Sequence, residues 1–418
     1  MTAAADGPAT PTATETVEAL AARLAEATLA LVDVRSPSWE ETAALEHCAA
    51  RLAEAGVPLR WGPERDGLLF GHLAAPGDGA KPLVILAGHV DTVPEQGNLP
   101  GRIADGKVHG LGSTDMKGAD AVIVELHAGL WADRDTLACR VGGILFAREE
   151  LPFGDSALTP LLAHEGALAA DDAALLGGSR AVDADLGVVM EPTSGKIQAG
   201  CLGNLNATWK FTGRNAHSAR PWQGENALDA IGAALTRLAG VEVIQHEFAG
   251  LPYAECITAT GVRGGVARNV VPGEAEIDVN FRYPPGMSAE DADAKLRAHT
   301  AGLGELEIVG HAPSGAVTVD GPLAQRLIAL TGEAPEPKQA WTPVAELTIA
   351  GVDAVNFGPG DPPLAHQVDE YVRIDGLVHA YETLETLVRH GAGSPGVVQA
   401  SGPGTAQTDE TPDGEASA

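Results

Sequence analysis

The sequence predicts an α/β fold: a mixed, mostly parallel sheet flanked by helices, interrupted by an inserted α+β unit. Three observations lead there. Short, continuously apolar runs such as Pro82-Leu83-Val84-Ile85-Leu86-Ala87 have the texture of strands covered on both faces. Helix-spaced segments separate these runs. From about residue 196 the pattern turns to alternating strands with two amphipathic helices, and near 320 the first pattern resumes. At 418 residues the chain is long enough for two domains with separate cores.

Residues 1–14 and 392–418 are poor in core-forming side chains and read as disordered tails. Between them the boundaries fall at 15–195 for the first α/β part, 196–312 for the insert and 313–391 for the second α/β part. Residues 17–34 and 40–52 carry apolar positions at helical spacing, and Ser38-Trp39-Glu40-Glu41 reads as a capping box opening the second helix. The apolar run after them ends at Gly88-His89-Val90-Asp91. Ala119, Val122, Ile123, Leu126 and Leu130 then share one helical face, so a helix should start just after Asp115. Stretches 140–146 and 186–190 are further buried strands. In the insert, strands are expected at 204–211, 254–262 and 275–281, with helices near 225–239 and 289–301. A helix at 323–331, a strand at 354–357 and a final helix at 374–390 complete the α/β pattern.

Charge and composition exclude several partners. Against 57 acidic side chains stand 27 basic ones, and a net charge of −30 repels phosphate backbones and anionic lipid surfaces, so no nucleic-acid partner is expected. No apolar run reaches the roughly 20 residues of a membrane span. Cysteines 48, 139, 201 and 256 show no CxxC spacing, which argues against a thiolate zinc site and a disulfide framework. Nothing at the N-terminus resembles a secretory signal, and a cytoplasmic location is expected.

The chemistry-bearing residues gather at predicted strand ends. His89 and Asp91 are two residues apart, so in an extended chain they point the same way. One ring nitrogen of His89 could then bind a metal while Asp91 takes a hydrogen bond from the other. Asp115 lies in a glycine-rich stretch, 110–118, that opens a helix, and taken singly it is an ordinary N-cap. Glu149 and Glu150 follow a strand as neighbours facing opposite sides, so one could ligate metal while the other faces a cleft. Glu191 closes the next strand, and His366 lies in Leu364-Ala365-His366-Gln367-Val368-Asp369-Glu370. Each has a bland account alone, as a polar turn or a solvated acid. Together they occupy successive strand ends of one α/β unit, where open sheets collect their ligands. Two imidazoles and several carboxylates suit Zn, Co or Mn, and the charge balance favours two divalent ions over one.

These stretches resemble the M20 family of dinuclear-metal peptidases and deacylases. The stretches are Gly88-His89-Val90-Asp91-Thr92-Val93-Pro94, Gly112-Ser113-Thr114-Asp115-Met116-Lys117-Gly118, Glu149-Glu150, Glu191-Pro192-Thr193, Asn215-Ala216-His217-Ser218-Ala219-Arg220-Pro221 and Ala365-His366-Gln367-Val368-Asp369-Glu370. The match runs in order from about 15 to 390. Within the family the chain is most similar to succinyl-diaminopimelate desuccinylases of the actinobacterial type, through Asn98-Leu99-Pro100, Asn269-Val270-Val271-Pro272, Asn280-Phe281-Arg282 and Asn356-Phe357-Gly358-Pro359-Gly360-Asp361.

The resemblance implies a zinc-peptidase-type catalytic domain, with the insert as lid and dimerisation domain of a homodimer. It implies two divalent ions, zinc first and cobalt or manganese also suited. Asp115 would bridge them, with His89 and Glu191 completing one ion and Glu150 and His366 the other. Glu149 would be the general base and Asp91 would orient His89. His217 would reach the partner subunit's active site to stabilise the oxyanion. Asn269, Gly358 and Arg282 would meet substrate, Arg282 by a bidentate contact to a carboxylate. The implied reaction removes succinate from N-succinyl-LL-2,6-diaminopimelate. Such desuccinylases follow an aromatic-Thr pair with Asp and, three residues later, Arg. Here Trp341-Thr342 is followed by Pro343 and Glu346. Glu346 could instead accept a cationic amine, which favours another N-acyl-amino-acid deacylase or a dipeptidase. A catalytically silent binding protein of the same fold would have lost ligands, and none is missing.

Overall fold

The structure, a computed structural model, describes residues 15–71, 81–167 and 180–393. Continuous apolar runs need cover on both faces, and the run Leu83–His89 obtains it by sending successive side chains to opposite layers. Val84 and Leu86 join one core with Leu24, Leu45, Val122 and Leu384 of the helices Val17–Val32, Thr42–Glu54, Gly118–Leu130 and Ile374–His390. Leu83, Ile85 and Ala87 join a second core with Leu158, Leu161, Val344 and Leu347 of the helices Leu158–Ala167 and Val344–Ile349. Each fully buried aliphatic side chain contributes about 1.5–3 kcal/mol relative to exposure, so this alternation fixes the strand's register.

The resulting sheet has eight strands in the spatial order 59–61, 67–71, 140–146, 83–89, 186–189, 354–356, 198–199 and 336–337. Its centre is parallel: Leu83–His89 pairs with Arg140–Phe146 and Leu186–Val189, which pairs in turn with Ala354–Asn356. Strand Gly67–Gly71 runs antiparallel beside them. The parallel strands therefore end on one edge, and His89, Asp91, Glu149, Glu150 and Glu191 lie at or just after their C-terminal ends.

The second unit is an all-antiparallel five-stranded sheet in the order 244–248, 251–264, 274–283, 203–212 and 305–312. Helices Ala227–Ala239 and Ala289–Thr300 cover it, burying Trp209, Ile277, Phe281, Ala234 and Leu296 together. The border expected at 196 falls early. Gln198–Ala199 pairs with Glu336–Pro337 and with Val355 and Asn356, so it belongs to the first sheet, and two residues are too few to show a strand pattern. The chain crosses between units beside one backbone bridge, Cys201 to Gly315. The expected tails lie outside the described residues apart from 392 and 393. Among the described residues no helix is long and apolar enough to cross a membrane.

Candidate metal centre

His89 ends its strand with a fully buried imidazole. Its Nδ1 lies 3.1 Å from the Asp91 carbonyl and 3.5 Å from Asp91 Oδ1. Its Nε2 lies 3.2 Å from Asp115 Oδ1 and 3.8 Å from Glu191 Oε1. The i, i+2 geometry thus leaves one nitrogen to Asp91 and aims the other at two carboxylates. Asp91 is itself buried and saturated: Oδ1 accepts from the Glu149 backbone N–H at 3.0 Å, and Oδ2 from Glu150 N–H at 3.1 Å and Ser38 Oγ at 2.9 Å. One carboxylate therefore orients both His89 and the Glu149-Glu150 turn. Ser38 does not cap the second helix, as the capping-box reading expected. That helix starts after Glu41 with no side-chain cap, because Ser38 is spent on Asp91 and Glu41 Oε1 accepts from the Trp39 N–H.

Asp115 does not cap a helix either. Residues Ser113–Lys117 form a wide turn in which Asp115 is non-helical (φ −126°, ψ 90°), and the helix begins at Gly118. The turn hangs on Glu370, whose Oε1 accepts from Thr114 N–H at 2.8 Å and Asp115 N–H at 3.1 Å, while Oε2 accepts from Gly112 N–H at 3.0 Å. His366 sits on the loop just before Glu370 with a left-handed backbone (φ 63°). Its Nε2 is 3.0 Å from the Glu150 carboxylate and 3.5 Å from Asp115 Oδ2.

Two groups of possible ligand atoms result, each within 4.8 Å internally: His89, Asp115 and Glu191, and Asp115, Glu150 and His366. Asp115 belongs to both, as expected of a bridging carboxylate. The electrostatics suit cations. Burial, then the Glu191 charge, push the Glu149 carboxyl well above the usual carboxylate range. Burial, then Asp115, push Glu191 up to about 7, and burial raises Glu150 against the opposing hydrogen bond from His366. Burial would raise Asp115 as well, but the His89 hydrogen bond and the charges of both imidazoles hold it below its ordinary value. The Glu150 hydrogen bond lifts His366 to about 9. Glu191 Oε1 is buried with no hydrogen-bond partner among the described residues. Converging acids with an orphaned oxygen and two imidazoles are a donor set that fits divalent metal. Lys338, buried with its Nζ 3.4 Å from the Pro192 carbonyl, adds a positive charge that favours ionised Asp115 and Glu191.

The remaining predicted residues lie outside these groups. Glu149, partly buried, adjoins them without belonging to either. His217 is exposed on a short hairpin with Val270–Val271, and its Nδ1 accepts from the Ala219 N–H at 3.0 Å. Asn269 is exposed beside it, with its carbonyl accepting from Ser218 N–H. Arg282 is half-buried, and its Nε donates to Asn280 Oδ1 at 3.2 Å. Gly358 is buried where a Cβ would stand 2.2 Å from the Met190 carbonyl and 2.4 Å from that of Glu191, so its place is to let the Glu191 strand end pass. Glu346 corrects the expectation of a substrate contact. It is 3 % exposed, and its Oε1 accepts from Ser156 Oγ, Thr159 N–H and Thr159 Oγ1 at 2.6–2.9 Å. Its Oε1 is thereby committed to the start of the neighbouring helix, while Oε2 is buried without a hydrogen-bond partner among the described residues. The parts that Ser38, Glu370 and Lys338 play at this site were not expected from sequence; each acts through partners more than 50 residues away, which no local pattern displays.

A cluster of side chains able to hold metal at the C-terminal edge of an α/β sheet, beside a spare carboxylate, fits a metal-dependent amide hydrolase. Residues 85–390 match the family described as peptidase family M20/M25/M40, and the chain belongs to that family. It is 35% identical over 362 residues to a putative succinyl-diaminopimelate desuccinylase of Mycobacterium tuberculosis, covering 86% of this chain and 96% of that protein. A succinyl-diaminopimelate desuccinylase of Corynebacterium glutamicum is 32% identical over 352 residues, covering 83% and 91%. The fold is shared with the crystal structure of the aminopeptidase PepT from Bacillus cereus, at a TM-score of 0.69 and 17% identity over 88% of this chain and 98% of that one.

Proposed function

We propose that the protein hydrolyses N-succinyl-LL-2,6-diaminopimelate to succinate and diaminopimelate, in the cytoplasm, as a homodimer joined through the inserted unit. The observation that carries this substrate is Arg282. Its guanidinium is half-buried with no carboxylate beside it among the described residues, which suits a bidentate contact to a substrate carboxylate. The two desuccinylases, at 35% and 32% identity, support the same reading.

His89, Asp115 and Glu191 would hold one divalent ion and Asp115, Glu150 and His366 a second, with zinc preferred and cobalt or manganese also suited to the donors. When bound, such ions polarise a carbonyl and lower the pKa of water. The chain's own groups do the rest. Glu149 takes the proton from the attacking water and returns it to the leaving amine, a transfer worth about 10²–10⁴-fold in rate. Asp91 keeps His89 in one orientation and tautomer. His217, exposed on its hairpin, would stabilise the developing oxyanion in the partner subunit, and Asn269 beside it would contact the same substrate.

A different deacylase or dipeptidase activity would draw its support from Glu346, which is buried with its Oε1 accepting from Ser156 and Thr159. The deciding measurement is kcat/KM on N-succinyl-diaminopimelate against N-acetylornithine and a simple dipeptide. A strong preference for the succinyl substrate is expected; equal or reversed preference overturns the assignment. For the base, Glu149→Gln should lose several orders of magnitude in kcat with its metal content intact, and near wild-type turnover would remove Glu149 from that role.

A further inference from the structure

Three of the five expected ligands are placed by strands or the turns directly after them: His89 and Glu191 on strand ends and Glu150 through Asp91. Asp115 and His366 are not. One lies in a wide turn between two glycines and the other on a loop with a left-handed backbone. Their positions must come from tertiary bonds, and those converge on Glu370. Its buried carboxylate takes the backbone N–H groups of Gly112, Thr114 and Asp115. Its carbonyl accepts from Gly110 N–H at 3.1 Å, and its own N–H donates to Gln367 one residue beyond His366. Thr114 Oγ1 closes the seam on the Tyr371 carbonyl at 2.6 Å. Five hydrogen bonds thus join residues 110–115 to 370–371, across more than 250 positions of sequence.

We propose that Glu370 is a positioning residue: it ties the Asp115 turn to the His366 loop and so sets the affinity of the Asp115–Glu150–His366 group for a divalent ion. Glu370 ligates nothing in this scheme. A carboxylate that accepts three backbone N–H groups fixes where the bridging Asp115 starts, while its chain position four residues after His366 fixes where the second imidazole lies. Losing it displaces two of the three groups around the second ion and only one of the three around the first. The effect is therefore unequal, whereas general loosening of the fold would weaken both ions alike. The proposal presupposes the two-ion reading of the same cluster, and the test separates the two.

Cobalt(II) is titrated into chelator-stripped protein and followed by its visible d–d absorption, with calorimetry giving stoichiometry; His366→Ala assigns the step belonging to the second group. Two steps in the wild-type protein are required by the metal reading, and none or one refutes that reading rather than the role of Glu370. With two steps present, Glu370→Ala should weaken the His366-dependent step by about 10–100-fold, the range for residues that orient ligands, and the other step much less. Glu370→Gln keeps an acceptor for Thr114 and Asp115 but turns an NH2 toward Gly112 N–H, so its loss should be in the same step and smaller. If Glu370→Ala does not fold, Glu370→Gln decides alone. Unchanged affinities, or equal weakening of both steps, would overturn the proposal.

Discussion

Asp91 concentrates four contacts in one carboxylate, and Asp91→Asn shows what they are worth. The aspartate is fully buried and accepts from Glu149 N–H, Glu150 N–H and Ser38 Oγ while facing His89 Nδ1. Asparagine keeps one oxygen, which can stay on one backbone N–H. Its NH2 can turn to Ser38 Oγ, whose hydroxyl also accepts, yet it then faces the other backbone N–H donor to donor. A buried donor left unsatisfied costs about 1–3 kcal/mol, and exchanging a charged acceptor for a neutral one at the retained bond costs about 1 kcal/mol more. The sum is about 2–4 kcal/mol, against about 1 kcal/mol for Ser38→Ala, which removes a single bond. Urea unfolding in the presence of chelator measures this without contributions from metal. A loss smaller than about 0.5 kcal/mol in Asp91→Asn would mean that the turn carrying Glu149 and Glu150 is held by something else.

Three further outcomes are expected. His127 is buried beside Phe70, and burial depresses it from 6.5 to about 4. Only the unfolded chain then takes up the proton between those values, so stability is fully present above pH 6.5 and falls by up to about 3 kcal/mol as the pH drops toward 4; His127→Leu should flatten that part of the stability–pH curve, and an unchanged slope would refute it. Gly358→Ala drives a methyl into the Met190 and Glu191 carbonyls and should cost at least about 2 kcal/mol in thermal unfolding, with metal binding impaired because Glu191 moves. Glu346→Gln should leave kcat and KM close to wild type, since the side chain is enclosed; a large rise in KM confined to substrates with a free ammonium would restore it to the substrate site.

Much of the fold was legible because its cause is local. A run such as 83–89 that buries both faces has no polar residue to spare, and its end is marked by the first ones, His89 and Asp91. All five expected ligands fall into the two groups able to hold metal, and for His89, Glu150 and Glu191 the reason is the same: strand ends are visible in sequence, and parallel strands deliver them to one edge. What was not legible depends on distant partners. Ser38 sits at the right spacing to cap a helix, and nothing nearby says that Asp91, 53 residues on, takes its hydroxyl instead. Glu370 resembles any acid in an acidic loop until the Asp115 turn folds onto it. Glu346 was read as charge exposed to substrate because a lone glutamate carries no sign of the serine and threonine that enclose it. The short strand Gln198–Ala199 was missed because its pairing partners lie at 336–337 and 355–356.

The crossing at Cys201 and Gly315 has a modular consequence. None of the side chains able to hold metal, nor Asp91 or Glu149, lies between residues 203 and 312, so about a quarter of the molecule lies outside the candidate metal centre. The residues that would meet the acyl compound from the inserted unit, Arg282, Asn269 and His217, are all on that segment. Leu251 and Tyr253 of that segment pack into the core of the first unit, so a different segment grafted between 201 and 315 would change what is offered for cutting only if it kept that cover.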